Sequence, residues 1–161
     1  MFVLTFSKRN IKKIVLFVAG VATALIVAIL MVIGFGEKSS VDVDGRVSTV
    51  AQTEEDVLRF ISCLGWETDE TPVEIRQVVI PEQFDEVYTN YNEIQLSQGF
   101  DLRKYAGVSV KRWTYTIRNY PDTAPEDDFI RINLLVYDNE IIGGDVCSVK
   151  LDGFMHGIFK E

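Results

Sequence analysis

Histidine is almost missing from this chain. His156 is the only one, and cysteine occurs twice, at positions 63 and 147. A protein metal site usually draws about four ligands from His, Cys, Asp and Glu. One histidine among scattered carboxylates is too few, so no metal and no cofactor is expected. A P-loop, a dinucleotide fingerprint and a Ser-His-Asp signature are all lacking, and with them the chemistries that those spacings serve. The acidic loop with Asp122, Glu126, Asp127 and Asp128 lacks the ordered spacing of a calcium loop and reads as solvated. Acidic residues are absent before Glu37, and charge of either sign is absent from Ile14 to Gly36.

That uncharged run of 23 residues is the strongest signal present. At about 1.5 Å rise per residue a helix of this length crosses a hydrocarbon core of about 30 Å. Such a helix satisfies its own backbone hydrogen bonds, so it is stable in lipid without a partner. Lys8, Arg9, Lys12 and Lys13 precede the run, and only Lys38 and Arg46 follow it closely. The positive-inside rule then puts the N-terminus in the cytoplasm and residues 37–161 outside it. A cleavable signal peptide is the rival reading. Its apolar region is shorter and ends at a small-x-small site, which Gly34-Phe35-Gly36 imitates poorly. The expected organisation is a short cytoplasmic segment (1–13), a transmembrane helix in contact with lipid (14–36), a polar linker (37–52) and an extracytoplasmic domain (53–161). Residues 37–161 hold all 24 acidic residues and 12 of the 16 basic ones. A surface with that excess repels phosphate, so no nucleic-acid partner is expected.

Within the outer domain, Thr53-Glu54-Glu55-Asp56 resembles a capping box and opens a helix. Val57, Leu58, Phe60, Ile61 and Leu64 form its apolar face, and Gly65 suits its C-terminal cap. Val73–Ile80 reads as a strand. Pro81 suits the first turn of a second helix with Phe84, Val87, Tyr88, Tyr91 and Ile94 on one face, ended by Gly99. Val108–Tyr120, Phe129–Tyr137 and Glu140–Leu151 read as a three-stranded meander. Asp138-Asn139 supplies the second turn. Gly143-Gly144 marks a bulge that leaves Cys147, Val149 and Leu151 facing inward. The fold class is therefore α+β: an antiparallel sheet with two helices on one face, in the order helix, strand, helix, meander.

Several local stretches carry a family resemblance. They are Ile80-Pro81 leading into Phe84-Asp85-Glu86-Val87-Tyr88, then Gln98-Gly99-Phe100-Asp101-Leu102 and Asn133-Leu134-Leu135-Val136-Tyr137. Gly143-Gly144-Asp145-Val146-Cys147 and Leu151-Asp152-Gly153-Phe154-Met155-His156-Gly157 complete the set. Together they resemble the bacterial DUF4830 family, over nearly all of residues 53–160. The resemblance implies an extracytoplasmic domain behind an N-terminal anchor and brings no activity, ligand or catalytic residue with it.

Asp145, Asp152 and His156 are the candidate site residues, because they gather near a double glycine and the loop DGFMHG. The plain alternative is that the glycines shape turns and His156 packs beside Phe154. Cys63 and Cys147 are compatible with a disulfide outside the cytoplasm, but two half-buried thiols is the simpler reading. Cys147 with His156 is a poor nucleophile pair, since a catalytic thiolate needs an electropositive setting. Arg112, Arg118 and Arg131 stand on strand faces as candidate contacts. The reading that follows is a membrane-anchored interaction or sensory module without catalytic activity, acting on an envelope protein partner. The alternative is a cell-envelope enzyme using His156 with Asp145 or Asp152.

Overall fold

The structure is a computed structural model that describes residues 47–160. The expected cytoplasmic segment, the transmembrane helix at 14–36 and most of the linker lie outside those residues. Among the described residues no helix is long and apolar enough to cross a membrane.

Helix α1 (Glu54–Cys63) starts as its sequence predicts. The Thr53 side chain accepts from the Asp56 N–H and the Asp56 carboxylate accepts from the Thr53 N–H. Gly65, at φ +83°, ends it, and the Trp66 N–H turns back to the Ile61 carbonyl. A sheet of five strands follows: β1 (Glu74–Val79), β2 (Ser109–Thr116), β3 (Ile130–Tyr137), β4 (Glu140–Ser148) and β5 (Met155–His156). Every neighbouring pair is antiparallel and spatial order equals chain order. Asp138 and Asn139 both have positive φ, the backbone of a type I′ hairpin turn. The bulge falls at Ile142, beside rather than at the expected Gly143-Gly144, where the register slips between Leu135 and Val136.

Helix α2 (Glu86–Ser97) departs from its expected form. It begins at the Asp85 cap rather than at Pro81, because the Asp85 carboxylate accepts from the Tyr88 N–H. Val87, expected on the buried face, is 76% exposed, whereas Asn92 and Gln95 are fully buried. The two helices also lie on opposite faces of the sheet rather than on one. Tyr115, Ile132, Leu134 and Val146 pack with Val57, Phe60 and Ile61 of α1. Their strand neighbours Val110, Leu135 and Ile142 pack with Ile80 and Leu102, beside Tyr88 and Tyr91 of α2. The cause is in the sequence: Leu134-Leu135-Val136 and Ile141-Ile142 are continuous apolar runs, the mark of strands buried on both faces. Val149 and Leu151 are exposed, not inward-facing, since β4 ends at Ser148 and the chain turns. The end of the expected linker belongs to this domain. The Ala51 N–H donates to Asn139, the Ile141 N–H donates to Thr49, and Ala51 is buried.

An amide stripe joins α2 to the sheet. The Asn92 carbonyl oxygen accepts from the Leu102 N–H at 2.8 Å, and that of Gln95 accepts from the Gly144 N–H at 2.8 Å. The Gln98 amide donates to the Gly144 carbonyl at 3.2 Å and accepts from the Ile158 N–H at 2.6 Å. Gly144 and Ile158 are the next opposed residues of the β4–β5 ladder, which pairs Val146 with His156. The side-chain amide thus replaces a rung between two strands that have splayed apart. A Cβ on Gly144 would meet the Asn133 carbonyl oxygen at 2.5 Å, so glycine is required there.

Gln98→Ala leaves a buried N–H and a carbonyl without partners, and is expected to lower stability by about 1–3 kcal/mol. Val87→Ala, on the exposed face, is expected to change it by less than about 0.5 kcal/mol. Urea denaturation of both variants checks the contrast, which reverses the order that helical periodicity alone suggests.

Candidate functional site

The C-terminal segment after β5 closes one end of the α1 face. Trp66 Nε1 donates to the Ile158 carbonyl at 2.7 Å, and Ile158 is fully buried. Tyr120, on the segment after β2, stacks against Trp66 with ring centroids 5.8 Å apart. Phe154 stacks on Tyr120 and on His156, at 5.2 Å and 5.4 Å. Lys160 Nζ lies 4.9 Å from the centre of the Trp66 ring and donates to the Gly65 carbonyl. Between these groups a surface cleft of about 250 Å³ is lined by Trp66, Tyr120, Pro121, His156, Phe159 and Lys160. Among the described residues no carboxylate lines it.

His156 sits in this cleft with both ring nitrogens engaged. Nδ1 lies 2.7 Å from the Gly157 carbonyl, which can only accept, so Nδ1 is the donor. Nε2 lies 3.0 Å from the Tyr120 hydroxyl, and in the neutral ring it accepts from that hydroxyl. The imidazole is held as a wall of the cleft.

The three candidate residues are not brought together. His156 is opposed to Val146 across the ladder. Asp145 is one residue along β4, and successive side chains of a strand point to opposite faces. Asp145 therefore lies on the α2 face, 3% exposed, accepting from the Tyr91 hydroxyl and the Asn133 amide, each at 2.9 Å. Burial raises its pKa above the ordinary carboxylate range, against the two hydrogen bonds, which lower it. Asp152 is exposed in the turn after β4, with φ +59°. Proximity in sequence suggested a cluster, and strand alternation disperses it.

Cys147 shares the Asp145 face. Burial first, then the neighbouring Asp145, pushes its thiol up to about 11, the reverse of nucleophile activation. Cys63 is exposed on α1, across the sheet, and the two cysteines form no disulfide. Among the described residues no cluster of three or more His, Cys, Asp or Glu could hold a metal. The candidate contact arginines are engaged within the domain. Arg112 pairs with Glu74, Arg118 with Asp69, and Arg131 donates to the Thr116 hydroxyl. The cleft residues that periodicity missed are Trp66, Tyr120 and Lys160. Trp66 carries a signal in its place directly after the helix-ending Gly65, and Tyr120 in standing among the strand aromatics that can line a groove.

The fold and site define a small α+β domain with an aromatic surface cleft and no assembled catalytic group. The model of the DUF4830 family, a domain of unknown function, matches residues 60–146, more than half of the chain. The chain belongs to that family. No curated protein and no solved structure matches it.

The buried Asp145 sets a pH dependence. A carboxyl whose pKa is raised on folding takes up a proton as the domain folds, in the window between its unfolded and folded values. Its stabilising contribution is present below the unfolded value and is lost as pH rises through the folded one. Stability is therefore expected to rise on acidification from neutral pH toward about pH 4, with Asp145→Asn flattening that slope. Asp56, Asp69 and Glu74, lowered by hydrogen bonds and arginine neighbours, act in the opposite sense below the ordinary carboxylate range. Urea midpoints across pH, wild type against variant, isolate the Asp145 contribution.

Proposed function

We propose that this chain is a membrane-anchored extracytoplasmic interaction module, and that the cleft walled by Trp66, Tyr120 and His156 is its contact site for an envelope protein. The observation that carries the reading is the cleft itself. It is a concavity of aromatic rings, a proline and a lysine, with no carboxylate among the described residues that line it, on a strongly acidic domain. Aromatic walls with one polar handle suit the capture of an apolar side chain from a partner. His156 is bonded through both ring nitrogens to Tyr120 and Gly157, which fixes it as a wall of the cleft. The anchor rests on the uncharged run at 14–36 and its basic flank.

The test is photo-crosslinking of the full chain in its native membrane from a probe at Pro121, with mass spectrometry of what is attached. A reproducible heterologous protein is expected. Its yield is expected to fall in Phe159→Ala and Lys160→Glu, with the thermal midpoint unchanged. Only lipid or nonspecific adducts, or yields indifferent to both variants, would sink the reading. In a Cys63→Ser, Cys147→Ala background, a membrane-impermeant maleimide added outside cells is expected to label Ser97→Cys, and protection from it would overturn the orientation.

A further inference from the structure

The two edges of the sheet are treated differently. The outer edge of β4 is covered along its length. Thr49 and Ala51 bond to Asn139 and Ile141, Gln98 bridges Gly144, and β5 pairs with Val146 and Cys147. β1, at the opposite edge, pairs only with β2. The Ile80 N–H donates to Val108, so even-numbered residues direct their backbone groups at β2. By ladder alternation the N–H and C=O of Ile75, Gln77 and Val79 point away from it. No partner for them occurs among the described residues. Ile75 and Val79 are also 47% and 65% exposed, on the same sheet face as Gln77. Open edges of this kind template strand addition, and proteins usually blunt them.

We propose that this edge takes a second copy of the chain, with two β1 strands pairing antiparallel about a two-fold axis through Gln77. Self-complementarity selects both the occupant and the register. About Gln77, each Ile75 opposes the Val79 of the other copy. The three residues with outward backbone groups then exchange hydrogen bonds as three pairs. Centring on Arg76 or Val78 would keep only two such pairs, because Val79 would then oppose Val73, whose N–H is committed to Thr114, or Ile75 would oppose Pro81, which has no N–H. Centring on Ile75 would use Val73, whose N–H is committed to Thr114. Centring on Val79 would oppose Gln77 to Pro81, which has no N–H. Charge agrees. The chain carries a net charge of −8, so its copies repel over most of their surface. On β1 the Glu74 carboxylate is held between Arg76 at 2.6 Å and Arg112 at 2.8 Å, which leaves this edge without negative excess.

The test uses the full chain in lipid vesicles, with Cys63→Ser and Cys147→Ala as background. Gln77→Cys is expected to form an intermolecular disulfide under mild oxidation, well above Glu93→Cys on the exposed face of α2. Ile75→Cys mixed with Val79→Cys is expected to crosslink, while neither does so with itself. Val79→Lys added to Gln77→Cys is expected to abolish the dimer band at an unchanged thermal midpoint. Crosslinking of Gln77→Cys no faster than Glu93→Cys would overturn the proposal. So would self-linking of Ile75→Cys or Val79→Cys at the rate of the mixture, which would mark mere proximity of anchored copies.

Discussion

Helix α2 meets the sheet through amides where most helices use an apolar stripe. Asn92, Gln95 and Gln98 recur at three-residue spacing and so share one side of the helix. Each finds a backbone group: Leu102, Gly144, and Gly144 with Ile158. A backbone group buried without a partner costs about 1–3 kcal/mol, so these side-chain oxygens and the Gln98 amide hold the helix where their bonds close, although Gln95 Nε2 is itself buried without a partner. Aliphatic contacts would permit sliding; directional bonds to fixed peptide groups do not. The double glycine answers to the same constraint, since a Cβ on Gly143 would meet the Gln95 oxygen at 2.8 Å. The register of α2 and the composition of β4 therefore depend on one another.

That dependence explains which parts of the fold were legible in sequence. α1 announces itself through Thr53, Asp56 and Gly65 because its caps are local chemistry, complete within a few residues. The Asp138-Asn139 turn is local in the same way. α2 departs from expectation at its start and at Val87, which is exposed, while Tyr88 and Tyr91 of the expected face do pack against the core. Apolar periodicity finds the tyrosines but not the Asn and Gln contacts beside them, since the same residues on a solvated face look identical until a partner is known. β5 escaped because two residues have no period. The arrangement of helices on two faces was available in the unbroken runs Leu134–Val136 and Ile141-Ile142, which an alternating strand with one wet face would not contain.

The candidate site failed in an instructive direction. Asp145 and His156 stand on paired strands and close in space, yet their side chains are divided by the sheet. Strand parity is absolute: opposed residues share a face and their immediate neighbours do not. A sequence reader who knew that β5 existed, and that His156 faces Val146, would have assigned His156 to the α1 side and Asp145 to the other. What separates them is the register set by a two-residue strand, not the chemistry of the residues.

Ile158 links the two faces. Its N–H is held by Gln98, from the α2 side, at 2.6 Å, and its carbonyl by Trp66, from the α1 side, at 2.7 Å. Its side chain is fully buried in the α1 core. A residue fixed through donor, acceptor and side chain has little freedom left, and it lies between His156 and Lys160, both of which line the cleft. The cleft is assembled from chain segments far apart in sequence, none of which holds its shape alone. Its walls are set by the Trp66–Ile158 bond, and Ile158 is itself set by the amide stripe across the sheet. A cleft built this way is organised in advance, so a ligand that entered it would lose less of its binding free energy to ordering the walls.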